Sequence, residues 1–182
     1  MTPLMPPAIT HARVARIAVP VVLSNATVPL LGAVDTAVIG QLGQAAPLGA
    51  VGMGAVVLAT LYWAFGFLRM STSGLAAQAE GARDAAERSA VLLRALVVAL
   101  LAGAALILLQ APLFAAAFAI APASAEVELL AKTYLAIRIW GAPATIALYA
   151  LTGWLIGVER TKGVLVLQLW QNGLNILLAL WV

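Results

Sequence analysis

The sequence predicts an all-α protein, a polytopic bundle of transmembrane helices, and three observations lead to this prediction. Of its 182 residues, 64% are hydrophobic and only 9% are charged. The mean hydropathy is +1.05, whereas a water-soluble domain carries far more charge. Apolar segments long enough for a helix of about 20 residues, which crosses the hydrocarbon core of a bilayer, occur five times.

The five apolar segments cover most of the chain. We expect a cytoplasmic N-terminal arm over residues 1–12 and then spans over about 17–40, 48–77, 92–120, 129–158 and 163–182. The apolar run after Arg16 is too long for a cleaved signal peptide, so the first span is expected to remain as a membrane helix.

Basic residues alternate along the connectors. The N-terminal arm, the second connector and the fourth connector carry them, and the first and third connectors have none; they are Arg13, Arg16, Arg83, Arg88, Arg94, Arg160 and Lys162. Positive charge marks the cytoplasmic side of a membrane. The pattern predicts a multi-pass membrane protein with a cytoplasmic N-terminus, and it does not suggest nucleic-acid binding.

Apart from Arg94 at the very start of the third span, four charged residues lie inside the expected spans, where a charge costs roughly 2.5–3.5 kcal/mol on insertion scales. Lys132 can reach the interface through its long stem and is interpreted as an anchor. For Arg138 and Arg69 we favour structural pairing over a functional role. Arg69 sits deep enough to need a polar neighbour or a water-filled path.

Asp35 has a short side chain that cannot reach the interface in this way. A straight helix would carry it roughly 27 Å beyond Ile17, into the outer half of the membrane. Pro20 and Pro29 remove backbone hydrogen bonds and bend the helix, and the freed carbonyls then need other partners or line a cavity. We therefore favour a cavity-facing Asp35, and contact with the outer headgroups is the alternative.

The fifth span carries a polar cluster, with Gln168, Gln171 and Asn175 on roughly one helix face. Such amides either hold helices together or coordinate a ligand. If this face meets Asp35, the oxygen atoms could together bind a proton, Na⁺ or a cationic ligand. Both alternatives stay open at this point.

Small residues recur at a spacing of four in two spans. They are Gly32, Thr36 and Gly40 in the first span, and Gly153 and Gly157 in the fourth. This spacing lets helices pack closely, and a chance origin is an equally weighted alternative.

Enzymatic chemistry is not expected. The sequence has no Cys, and its only histidine, His11, lies outside the spans. An intramembrane aspartic protease needs two carboxylates, and the spans supply one Asp. A metal site would need a cluster of His or acidic residues that is absent. We therefore expect no enzyme activity, no metal and no cofactor.

Four stretches carry a family resemblance: "VPVVLSNATVPLLGAVDTAVIGQLG", "FLRMSTSGLAAQAEG", "LTGWLIGVERTKGVLVL" and "NGLNILLALWV". From about residue 13 onward the sequence resembles the N-terminal part of a MATE (multidrug and toxic compound extrusion) transporter of the DinF-like branch. The resemblance implies twelve helices in two six-helix lobes. It also implies an antiporter that exports small organic, often cationic, compounds in exchange for H⁺ or Na⁺.

The resemblance also implies residue roles. Asp35 corresponds to a proton or cation site, Asn175 to its partner, and Pro20 to a proline at which the first helix bends. Asn25 and Gln171 are candidates for the substrate cavity. Similar members read "NIVLD" in the fifth helix where this chain reads "NILLA", so Ala179 replaces an acid and puts ion coupling in doubt.

Relative to that family, the chain is expected to be truncated, because the sixth helix and the second lobe are missing, and alternating access needs two halves. Two alternatives remain beside a truncated multidrug exporter. One is an exporter of a lipid-linked compound or metabolite with the same architecture. The other is a non-transporting membrane remnant or subunit.

Overall fold

The computed structural model describes residues 10–41 and 44–181, without the side chains of residues 13, 27–32, 35, 36, 39, 179 and 180. The described ranges contain helices and no strand, which confirms the predicted all-α bundle. The helices are α1 (His11–Gly40), α2 (Ala45–Trp63), α3 (Gly66–Gly81), α4 (Ala85–Leu108), α5 (Gln110–Ile120), α6 (Ala125–Arg138), α7 (Ala142–Gly157) and α8 (Thr161–Trp181).

Consecutive helices join into longer rods. Within the described ranges, three segments are long and apolar enough to cross a membrane: Ala45–Gly81, Ala85–Leu108 and Ala125–Gly157. Shorter apolar helical segments occupy Val14–Ala26 and Gln110–Ile120. This is the composition of a multi-pass membrane protein, while the exact division into five spans stays a prediction.

Three of the rods change direction or tighten in their middle. Pro112 near the start of α5 and Pro143 near the start of α7 lack the N–H that would continue the preceding helix. A 3₁₀ turn, Ile139–Gly141, joins α6 to α7. Between α2 and α3 the turn contains no proline. It is closed by the Phe65 N–H, which donates to the Tyr62 carbonyl at 2.9 Å, just before the helix-weakening Gly66.

The segments with basic residues meet at one end of the bundle. The Thr161 hydroxyl donates to the Arg16 carbonyl at 3.3 Å, which joins the start of α8 to the start of α1. The Trp154 indole N–H donates to the Arg88 carbonyl at 2.9 Å, which joins the end of α7 to the start of α4. These two bonds place the N-terminal arm and the second and fourth connectors as the charge pattern requires. The cytoplasmic assignment of this end stays a prediction.

Helix α7 is the centre of the bundle, because it packs against α3 and α4, while α2 packs on α6 and α1 packs on α8. Leu135, Ile139 and Ile146 are fully buried where α6 turns into α7. The α1–α8 pair meets the remaining helices mainly through α7 and α2. This arrangement leaves a space between the pair and the rest of the bundle.

Glycines permit a close helix contact between α3 and α7. A Cβ atom on Gly153 would collide with the Arg69 carbonyl oxygen, and one on Gly157 would lie 2.5 Å from the Ser73 carbonyl oxygen. The small-residue spacing in the fourth span therefore serves helix packing. In the first span a Cβ on Gly40 would meet nothing within 4 Å, and the side chains at 32 and 36 are outside the described set.

The turns after α3 and α7 use the same backbone motif. Arg83 and Glu159 both have φ of 56°, in the left-handed region. In the first turn the Arg83 N–H donates to the Glu80 carbonyl and the Asp84 N–H to the Ala79 carbonyl, each at 3.0 Å. This is a Schellman ending, in which glycine is the usual left-handed residue.

Replacing Arg83 with glycine should stabilise the chain by about 1 kcal/mol, because glycine adopts the left-handed region without the steric cost of a Cβ. Ala82→Gly is the matched control. Ala82 has φ of −75°, so that substitution should leave stability unchanged or lower it. The measurement is the midpoint of thermal unfolding in detergent. A lower midpoint for Arg83→Gly than for the native chain would contradict the assignment.

Candidate functional site

A polar cavity lies between the α1–α8 pair and helices α3 and α7. Its volume is about 280 Å³. The lining residues come from four helices: Ser24 and Asn25 from α1, Arg69 from α3, Thr145, Leu148, Tyr149 and Thr152 from α7, and Val164, Leu167, Gln168 and Gln171 from α8.

Arg69 supplies the only charge among these lining residues. It is half-buried, and its guanidinium makes no hydrogen bond or ion pair with any residue that the structure describes. The position of Arg69 in a polar cavity agrees with the prediction that it needs a polar neighbour or a water-filled path. The favoured alternative, structural pairing, is not seen among the hydrogen bonds and ion pairs of the described part of the chain.

Three side chains of α7 face the cavity and were missed by sequence reasoning. Thr145, Tyr149 and Thr152 follow a spacing of four and three, which puts them on one helix face. Thr145 and Thr152 donate their hydroxyl hydrogens to carbonyls of their own helix, Gly141 at 3.0 Å and Leu148 respectively. Their oxygen atoms can still accept a hydrogen bond from a guest in the cavity.

Both predicted cavity candidates line this space. Asn25 projects from α1, and Gln171 projects from α8 one turn after Gln168, which also lines the cavity. Ser24, beside Asn25, was not singled out from the sequence. It is almost fully buried and donates to the Val21 carbonyl at 2.8 Å. A role of Asn25 and Gln171 in substrate binding stays a prediction.

Asp35 and Ala179 lie at one level of the bundle. Because Arg16 and Thr161 are in contact, α1 and α8 start together and run parallel. Asp35 follows Arg16 by nineteen residues and Ala179 follows Thr161 by eighteen, so at 1.5 Å per residue each lies roughly 27–29 Å along its helix. The side chains at both positions are outside the described set. Their roles stay predictions.

Asn175 lies about one helical turn closer to the cavity than Ala179. It is half-buried and its Nδ2 donates to the Gln171 carbonyl at 2.9 Å. Any cation bound by Asn175 would use its Oδ1 atom, since the amide nitrogen is a donor. Asp35 itself lies ten residues beyond Asn25, roughly 15 Å along the helix axis from the cavity.

Pro20 and Pro29 were predicted to bend the first helix. Helix α1 is continuous from His11 to Gly40 through both prolines. Pro20 is half-buried, and the side chain of Pro29 is outside the described set. A bend at either proline during transport stays a prediction.

The other two intramembrane basic residues lie away from the cavity. Lys132 is paired with Glu128 at 2.6 Å and stands 5.4 Å from the centre of the Phe118 ring. Arg138 is exposed and stands 5.8 Å from the centre of the Tyr134 ring. The anchor role of Lys132 and the structural pairing of Arg138 stay predictions.

An apolar groove adjoins the cavity at the turn between α2 and α3. Its volume is about 870 Å³, and its lining residues are Trp63, Ala64, Gly66, Phe67, Arg69, Met70, Ser73, Tyr149 and Ile156. Arg69 and Tyr149 also line the polar cavity. Within the described ranges, no three His, Cys, Asp or Glu side chains come together to hold a metal ion.

Comparison with known proteins agrees with this architecture. The MatE family model matches residues 20–181. The chain belongs to the MatE family. This result confirms the resemblance noted in the sequence. The MatE match includes α8 with its amide cluster and all of α1 beyond its first nine residues.

A curated relative extends the comparison. DNA damage-inducible protein F of Escherichia coli (strain K12) is 43% identical to this MatE chain over 166 residues, which is 91% of the chain and 36% of the relative. The chain thus spans about a third of the length of the curated relative that it matches. No solved structure matches the chain.

Proposed function

We propose that this MatE chain forms part of a secondary antiporter that exports small organic, often cationic, compounds in exchange for H⁺ or Na⁺. The proposed location is the bacterial inner membrane, with the N-terminus in the cytoplasm. Members of the family are transporters. The observation that carries the proposal is the polar cavity lined by α1, α3, α7 and α8 inside an otherwise apolar bundle.

In this proposal the carboxylate of Asp35 binds the coupling ion. Binding of a proton or Na⁺ neutralises a charge that is energetically costly within the membrane. The energy of the α1–α8 pair therefore differs between the states with and without the bound ion. Asn175 supplies a neutral oxygen one turn away along α8. Ala179 contributes no carboxylate at the level of Asp35, so of these two positions only Asp35 carries a negative charge. A single carboxylate is better matched to one proton than to a Na⁺ ion, which prefers several oxygen ligands.

A second candidate function is export of an anionic compound that is lipid-linked or otherwise anchored in the membrane. One observation favours it, namely the guanidinium of Arg69 at the wall of the cavity. A fixed positive charge at this place repels an organic cation and attracts an acid. The two candidates therefore predict opposite charge preferences for the substrate.

The test uses two proteins. One is the chain alone, and the other is the chain fused to the C-terminal remainder of the Escherichia coli relative. Inside-out vesicles are energised with a pH gradient, and uptake of a fluorescent organic cation is followed. Asp35→Asn should reduce gradient-driven uptake by about tenfold or more, since the amide cannot exchange a proton. Glu126→Gln, which removes an exposed acid at the start of α6, should leave uptake unchanged. Equal uptake by the Asp35→Asn form would refute the role of this carboxylate.

A further inference from the structure

The polar cavity and the apolar groove share one wall, formed by Arg69 and Tyr149. We propose that the two spaces together form a binding site for an amphipathic organic anion drawn from the bilayer. Its acidic head group binds Arg69 in the cavity, and its apolar body lies in the groove. This inference deepens the second candidate function, export of an anionic compound, on which it rests only for the fate of the bound molecule as cargo.

The charge of the site selects an acid. The guanidinium of Arg69 carries five N–H donors, which suit a carboxylate, sulfate or phosphate. No acidic residue is among the described residues that line the cavity, and no described residue pairs with the guanidinium. Because an unpaired cation is costly in a membrane interior, a bound anion lowers that cost.

The neutral walls of the cavity complete the head-group site. Gln168 and Gln171 present amides from α8, and Tyr149 presents a phenol from α7, all facing the same space as Arg69. Amide N–H and phenol O–H groups donate hydrogen bonds to acidic oxygens. At about 280 Å³ the cavity holds a head group with a few waters and is too small for a bulky amphiphile as a whole.

The groove accepts the apolar part of the same molecule. Its outer wall consists of Trp63, Phe67 and Met70, whose exposed fractions are 82%, 56% and 78%. Its floor includes Ile156 of α7. The tightened turn between α2 and α3 separates two helical segments at this point, and the groove lies along that turn. Large exposed apolar side chains on a membrane helix contact the acyl region of the bilayer, so the occupant enters sideways from the lipid.

The residues common to the two spaces argue for one occupant with both characters. Arg69 and Tyr149 are the only residues of the described lining sets common to both spaces. In the proposed arrangement the acid touches Arg69 from the cavity, and the alkyl chain passes beside Arg69 and Tyr149 into the groove. A hydrophilic anion would fill only the cavity, and a neutral lipid would fill only the groove.

The test is binding of a dansyl-labelled undecanoate to the full chain in nanodiscs of zwitterionic lipid, followed by dansyl fluorescence. We expect saturable binding that weakens about 10- to 100-fold in Arg69→Gln, the range for loss of a hydrogen bond to a charged group. Arg69→Lys, which keeps the charge, should weaken binding less. Arg138→Gln is the matched control, because it removes an intramembrane arginine that lines neither space, and it should bind like the native chain.

Two further measurements separate the head-group and body contributions. The uncharged methyl ester of the probe should bind more weakly to the native chain and should be insensitive to Arg69→Gln. Met70→Ala shortens an exposed side chain of the groove without touching the core and should weaken binding of the acid severalfold. Helix content by circular dichroism checks that each variant is folded.

Three outcomes would overturn the proposal. One is equal affinity of acid and ester, and another is equal affinity of the native chain and folded Arg69→Gln. The third is loss of binding when the chain is joined to the remainder of the Escherichia coli relative, which would assign the groove to contact with that remainder. None of these measurements needs an ion gradient, so they fail or succeed independently of the antiport test on Asp35.

Discussion

Replacing Gly153 with alanine should destabilise the chain by about 1–3 kcal/mol, the usual range for overpacking. Alanine is the better helix former by about 1 kcal/mol, so propensity alone predicts the opposite sign. The added methyl group would meet the backbone carbonyl of Arg69, and a backbone atom cannot rotate away as a side-chain end can. Helices α3 and α7 must therefore separate.

Gly74→Ala provides the matched control. Gly74 also lies in a helix, and a Cβ there would meet nothing within 4 Å. This variant should be as stable as the native chain or slightly more stable. Unfolding by titration with dodecyl sulfate in mixed micelles measures both. If Gly153→Ala were as stable as Gly74→Ala, the close α3–α7 contact would be refuted.

The same substitution should also alter the polar cavity. Arg69 is on the segment of α3 that the new methyl group displaces, and its side chain lines the cavity. Binding of the anionic probe should then weaken in Gly153→Ala and remain native in Gly74→Ala. Stability and binding would change together because one helix contact controls both.

Leu135→Ala should cost about 2–5 kcal/mol, the range for removing a buried leucine side chain. Leu135 is fully buried where α2, α6 and α7 meet in the core. The loss comes from packing contacts left without a partner, so it applies inside a lipid-embedded bundle as well as in water. The measurement is again unfolding in mixed micelles.

Leu129→Ala tests the same chemistry on the same helix at an exposed site. Leu129 has an exposed fraction of 68%, so its truncation should change stability by less than about 0.5 kcal/mol. If Leu135→Ala and Leu129→Ala lowered stability by similar amounts, α6 would not pack against the core through the face that carries Leu135.

The overall architecture was predictable because its determinants are local. Long apolar runs identify membrane helices, and alternating basic connectors indicate which helix ends lie together. The bonds from Thr161 to Arg16 and from Trp154 to Arg88 show that those connectors do share one end. The mid-rod turns were not predicted, although Pro112 and Pro143 were visible in the sequence, because prolines are common within continuous membrane helices.

The site was only partly predictable because it depends on which helices become neighbours. Asn25 and Gln171 were selected as polar residues in apolar spans, and they reach one cavity because α1 pairs with α8. Thr145 and Thr152 gave little signal, since hydroxyls within helices usually bond to their own backbone. Arg69 was noticed for its cost, but its position on the wall of two spaces depends on the turn at Phe65 and the glycine contact with α7.

The pairing of α1 with α8 has a consequence for biogenesis. The bond between Thr161 and Arg16 links residues 145 positions apart. Helix α1 ends at Gly40, so at a synthesis rate of about 5–20 residues per second it is complete for roughly 6–24 s before Thr161, at the start of α8, is made. During that interval Ser24, Asn25 and Asp35 reside in the insertion machinery or the bilayer without α8. Slow translation should therefore prolong the period in which the nascent first helix is open to quality-control proteases.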